Sequence, residues 1–401
     1  MRIATKVRGH VGGKGLAAGL AVGLFAAAAV ATAADWPCYR GPNHNGISEE
    51  TGWTAKWKGE PKVLWRAEVG QGFSGIAVAG GKAYTMGGNR GTDTVYCFDA
   101  ETGKPAWSKS YVCPDGEYSG PRCTPTVDGK YVYTLSRQGD LNCFEAATGK
   151  VCWSTTVAAK PPRWGFASSP LIFGQLVIVN TGVAGQAFNK TSGKPAWSSG
   201  GQSGYATPVV YQKGGKSVLL MFSSKSLLAM NPTTGSKGWE IPWQTEYDVN
   251  AADPVLAGDR VFISSGYNVG CALMSLAGDA PKVLWRNKNM RNHHGTTVFY
   301  KDAIYGFDES SLRCLDVKTG EVKWSQEGLG KATLIIADGK LVILSEGGAL
   351  VIAEASPAAF KEIARAQAVR GHCWTMPTLA NGRIYCRTDT GSVACIDVSG
   401  K

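Results

Sequence analysis

Cys97-Phe98-Asp99-Ala100-Glu101-Thr102-Gly103-Lys104-Pro105-Ala106-Trp107 decides the fold of this chain. An apolar strand ends at Asp99, a Thr-Gly-Lys turn reverses the chain, and Trp107 opens the next strand. Glycine supplies the positive φ such a turn needs, while the aspartate can bond the turn backbone. The same frame returns at Ala147-Thr148-Gly149-Lys150 before Trp153, Thr191-Ser192-Gly193-Lys194 before Trp197, Thr233-Thr234-Gly235 before Trp239, and Lys318-Thr319-Gly320 before Trp324. With Trp65 and Trp285, seven tryptophans are spaced by 42, 46, 44, 42, 46 and 39 residues. A repeat of that size marks a solenoid or a propeller.

Upstream of each turn lies a pair of alternating apolar runs around a Gly- or Asp-containing bend, as in TPTVDGKYVYTLS or DPVLAGDRVFISS. Alternation over so few residues reads as a β-hairpin. A third run leads into the turn, and the tryptophan begins a fourth. Four antiparallel strands per unit make a propeller blade. The hairpin occurs eight times, predicting an all-β, eight-bladed β-propeller. The last unit stops at Cys395-Ile396-Asp397-Val398, where its fourth strand should start, whereas Pro61-Lys62-Val63-Leu64-Trp65 has no hairpin before it. Supplying that spare strand to the last blade closes the ring and removes an exposed edge. Two units deviate. The fifth carries Leu276-Ala277-Gly278-Asp279 at its turn, and the seventh has Ile363 at the tryptophan position.

Residues 1–34 read as a signal peptide. Arg2, Lys6, Arg8 and Lys14 precede an apolar stretch, and Ala31-Thr32-Ala33 suits cleavage. The alternative is an uncleaved anchor, since Leu16 to Ala34 is just long enough to span. Its Ala and Gly content inserts weakly, so no stable transmembrane anchor is expected. Losing this segment lowers the formal charge from +11 to +7. The expected location is periplasmic or extracellular, in the cell envelope. An exported chain without a dense Lys/Arg run is not expected to bind nucleic acid; an anionic polymer or acidic protein would suit it better. Residues 35–60 form an arm whose Trp36, Tyr39, Trp53 and Trp57 should pack on the ring, and 61–401 form the propeller itself.

Among 11 cysteines there is no C-x-x-C, which excludes the usual zinc and thioredoxin patterns. Cys97, Cys143, Cys314 and Cys395 share one repeat position and read as small buried hydrophobes. Cys113 and Cys123 lie in loop-like sequence and are the candidate disulfide pair. His293-His294 is the sole histidine pair. In an extended segment neighbouring side chains diverge, so no metal role is expected.

The unit apolar–x–Asp–x–x–Thr–Gly–Lys–x–x–Trp resembles the pyrroloquinoline-quinone-type (PQQ-like) propeller repeat, over about residues 61–401. That resemblance implies either a quinoprotein alcohol dehydrogenase or a cofactor-free propeller similar to the lipoprotein component B of the outer-membrane β-barrel assembly machinery. The former implies PQQ held between a tryptophan and a disulfide of adjacent cysteines, with Ca²⁺ bound by carboxylate and amide oxygens. No adjacent cysteines occur here, and Asp253 and Asp308 are single acids. The expectation is therefore no cofactor and a non-catalytic scaffold that engages an envelope protein or anionic glycan.

Function should then lie on the loops between blades, which gather on one face of a propeller. The candidate binding residues there are Arg122, Trp164, Tyr205, Asn250, His293, Lys331, His372 and Trp374. Aromatic faces with cationic donors suit polar or anionic ligands.

Overall fold

A computed structural model describes residue 9, residues 34–57 and residues 59–400. The expected signal peptide lies outside the described residues, Gly9 and Ala34 excepted. The described chain forms eight sheets. Seven blades run in chain order as residues 77–112, 126–156, 171–198, 209–242, 255–287, 298–326 and 333–367. The eighth joins Thr378–Ala380, Arg383–Arg387 and Ser392–Asp397 to Val63–Glu68 from the start of the ring. Val63–Glu68 runs antiparallel to Ser392–Asp397, with Trp65 opposite Cys395, as the closure argument requires. Middle strands such as Arg260–Ser265 are buried, while outer strands such as Lys237–Pro242 alternate with solvent.

The tryptophans join neighbouring blades. Trp65 Nε1 donates to the Ala100 carbonyl (3.2 Å), Trp107 to Ala146 (2.9 Å) and Trp153 to Lys190 (3.0 Å), each in the turn of the following blade. A tyrosine on a middle strand donates to the same carbonyl: Tyr385 to Ala100, Tyr84 to Ala146 and Tyr133 to Lys190. The turn glycine lies flat on the indole. A Cβ on Gly149 would sit 2.6 Å from Trp107 Cδ2, and its φ is +70°. Glycine is thus required there twice over, by conformation and by space. Asp99 Oδ1 accepts from the Glu101 and Thr102 amides and from the Thr102 hydroxyl, fixing the turn.

Cys97, Cys143, Cys314 and Cys395 each stand between a tyrosine and a tryptophan on adjacent strands. All four are buried, and burial pushes the Cys97 and Cys314 thiols up to about 11 and Cys395 to about 12. They are packing atoms with little thiolate character. Cys113 and Cys123 differ from expectation: both are free, buried thiols with no bridge between them. The Cys123 sulfur instead takes the Leu135 amide at 3.3 Å.

The arm runs through the middle of the ring. Trp36 exchanges two 2.8 Å backbone bonds with Val78 of the first inner strand, and the Pro37 carbonyl accepts from Val127 of the second. Ile47–Ser48 adds a fifth strand, parallel to Thr333–Ala337 of the seventh blade. Nothing in the repeat foretells that strand, because it belongs to no unit. At the start of the arm, Asp35 accepts from Gly80 N and Asn381 Nδ2, both in turns that follow inner strands. The arm therefore begins on the face opposite the inter-blade loops and plugs the channel from that side.

Candidate functional site

Beneath the inter-blade loops the inner strands start on a belt of hydrogen bonds. Gly75 N donates to Thr124 Oγ1, Thr124 N to Ser169 Oγ, Ser169 N to Thr207 Oγ1, Thr207 N to Asp253 Oδ1, and Asp253 N to Thr296 Oγ1. One blade thus uses the next blade's side chain to satisfy its own buried amide. The sequence shows the belt as the Thr-Pro, Ser-Pro and Asp-Pro steps that open the hairpins. Only Asp253 brings a charge to this belt, and the arm answers it with Arg40, whose Nε is 4.0 Å away. Arg40 also donates to the Thr297 carbonyl at 3.0 Å.

Above the belt opens a funnel of about 280 Å³, with Tyr39 of the arm among its lining residues. Phe73 stacks on Trp374 with centroids 5.9 Å apart, and Tyr118 packs on Trp374 at 6.1 Å. From Trp374 the contacts pass to His293, from His293 to Tyr267, from Tyr267 to Tyr247, from Tyr247 to Trp164, and from Trp164 to Tyr205. The result is a nearly continuous collar of rings. Acidic residues steady it from behind. Glu117 accepts from Trp164 Nε1 (3.1 Å) and pairs with Arg163, while Glu346 accepts from Trp374 Nε1 (3.1 Å) and meets His372.

Of the residues expected on this face, Arg122, Trp164, Tyr205, His293 and Trp374 line the funnel. Lys331 stands aside, paired with Glu309 at 3.2 Å, and His372 lies behind Trp374 between Glu346 and Asp389. Asn250 is fully buried. Its Nδ2 donates to the carbonyls of Ser223, Ser224 and Trp243, and its Oδ1 accepts from Ser265. It fastens a loop. Phe73, Tyr118 and Tyr267 are lining residues outside the expected set. Tyr267 comes from a hairpin within blade five, a loop that inter-blade reasoning does not reach.

The histidine expectation needs correction. His293 and His294 converge, with Nδ1 atoms 3.5 Å apart, because the chain bends there and is not extended. Burial holds both imidazoles below their ordinary value, His294 at about 3, pressed further by the neighbouring His293 and Lys331 charges. Among the described residues no group of three or more His, Cys, Asp or Glu is placed to hold a metal ion.

The donor set implied by a quinoprotein does not fit this funnel. Asp253 is the one carboxylate among its lining residues, and it faces Arg40 and the Thr207 amide. Asp308 is bound by Arg291 at 2.7 Å and Arg313 at 2.9 Å.

Comparison with known proteins gives the same architecture twice over. BamB from Moraxella catarrhalis superposes with a TM-score of 0.65 at 18% identity, covering 84% of this chain and 99% of that one. Quinohemoprotein alcohol dehydrogenase from Comamonas testosteroni gives 0.67 at 15% identity, over 92% and 81%. At these identities the likeness is one of fold. In sequence, the outer membrane protein assembly factor BamB of Burkholderia pseudomallei (strain K96243) is 24% identical over 301 residues, 66% of this chain and 69% of its own length. The family described as outer membrane protein assembly factor BamB matches residues 48–115 and 114–326. With more than half of its length matched, this chain belongs to the family of the outer membrane protein assembly factor BamB.

Proposed function

We propose that the chain is a non-catalytic scaffold of the cell envelope that holds a protein or an anionic polymer on its inter-blade loop face. Family membership supports an assembly role, because the matched relatives are named as outer membrane assembly factors. The observation that carries the reading is the collar of rings around the funnel. Trp164 and Trp374 are not demanded by the repeat, yet the indole N–H of each donates to a carboxylate. Partly exposed aromatic residues on a rigid frame are the usual anchors of an interface. The plug beneath them leaves the face as a closed cup.

Site-specific photo-crosslinking in intact envelopes tests this. A photoreactive residue at Tyr247, 46% exposed on the loop face, should give discrete adducts. The same group at Val151, 48% exposed on an outer strand, should give none. Adducts from Val151 alone, or equally from both, would place the partner elsewhere and overturn the reading.

A further inference from the structure

The funnel combines ring faces with polar groups. Phe73 and Trp374 stack on each other, and the Arg122 guanidinium lies 5.5 Å from the centroid of the Phe73 ring. Thr124, Ser169 and Thr207 line the same cavity. Each of those three hydroxyls accepts one backbone amide from the preceding blade, which leaves its own proton to donate.

The acids at the mouth are engaged by basic groups other than Arg122. Glu117 is paired with Arg163, Glu309 with Lys331, and Glu346 with His372. Arg122 donates to the backbone carbonyls of Glu117, Tyr118 and Gly120, and among the described residues no carboxylate forms an ion pair with it. Behind it Arg137 is 4% exposed, with Nε and Nη1 lacking any hydrogen-bond partner. The buried Asp93 carboxyl is the acid beside both guanidinium groups, so two cations face one carboxyl and an excess of positive potential remains on this wall of a partly dehydrated cup. Such a place favours an anion more than open water does.

We propose that the funnel binds the terminal acidic sugar of an anionic polysaccharide, resting on the loop-face reading above. A pyranose has an apolar C–H face to lie on Trp374 and Phe73, hydroxyls to meet the threonine and serine row, and a carboxylate to meet Arg122. The cup is near the lower size limit of ligand pockets, which suits one ring. Its closed floor admits a chain end and not a passing chain.

Ligand-observed NMR titration of the purified protein decides the matter with three probes: glucuronate, glucose, and an acetylated Glu-Glu dipeptide amide. Glucuronate should bind about tenfold or more tightly than glucose, the scale of one charge-assisted hydrogen bond. Arg122→Gln should bring glucuronate down to the glucose level, and Phe73→Leu should weaken both sugars. No glucuronate binding, equal affinity for the two sugars, or tighter binding of the dipeptide would overturn the proposal. The ranking of probes on the unmodified protein stands even if Arg122→Gln fails to fold. Should loop-face crosslinks persist while glucuronate fails to bind, only this inference falls.

Discussion

Arg40 and Asp253 face each other 4.0 Å apart inside the ring, with side chains 1% and 3% exposed. One belongs to the arm and the other to the belt of the fifth blade, so a single ion pair ties the plug to the propeller. Burial raises the Asp253 carboxyl to about 7, opposed by Arg40 and by the Thr207 amide.

Replacing Arg40 by methionine should strand that carboxylate. Breaking a buried pair from one side costs about 3–5 kcal/mol, to be read from urea unfolding at pH 8. The sign of its pH dependence follows from the raised value. Between the ordinary carboxylate range and about 7 the folded state keeps a proton that the unfolded state has lost, so this group's contribution to stability falls as pH rises through that window. Without Arg40 the window extends further upward. The penalty should therefore be smaller at pH 5 than at pH 8, and a pH-independent penalty would contradict the account.

Glycines of the repeat should differ sharply in their tolerance of alanine. At Gly149 the added methyl meets Trp107 and the φ of +70° is unfavourable, whereas at Gly129, φ +56°, nothing lies within 4 Å. Gly149→Ala should cost about 2–4 kcal/mol and Gly129→Ala about 1 kcal/mol. Equal losses in denaturant titrations would mean that the indole contact contributes nothing.

Asn250→Ala should act on stability and spare ligand contacts. Its fully buried amide serves three carbonyls and Ser265, and orphaning them costs about 2–4 kcal/mol. Thermal unfolding checks the loss. Sugar affinity measured well below the new midpoint should match the parent protein.

Supplying PQQ and Ca²⁺ to the purified protein should produce neither stoichiometric quinone uptake nor alcohol-driven dye reduction. The acids that could have supported such chemistry, Asp253 and Asp308, are engaged by arginines. Turnover would reverse the functional assignment.

Blade number, ring closure and the deviant units are legible in the sequence because each repeats a local pattern. The Thr-Gly-x-x-x-Trp frame writes both ends of an inter-blade contact into one unit, so reading it locally reveals a tertiary interaction. The irregular parts are less accessible. Nothing local says that Ile47 will lie beside Ile336, since an isolated two-residue strand has no periodicity. Asn250 and Tyr205 look alike as polar loop residues, and only the carbonyls around Asn250 reveal it as a fastener. The funnel's aromatic residues are visible as off-period residues, but Tyr267 sits within a blade and escapes that filter.

Pairing of Val63–Glu68 with Ser392–Asp397 also sets a clock on folding. The strand that seals the ring is made before any blade, yet its partner is the last strand to emerge. Contacts of such sequence separation form slowly. Until residue 397 is free, the Val63–Glu68 strand and the eighth blade each carry an open edge, which invites strand exchange with another copy. Any shielding of those two edges over that interval should raise the yield of closed rings, a requirement set by the way this ring is joined.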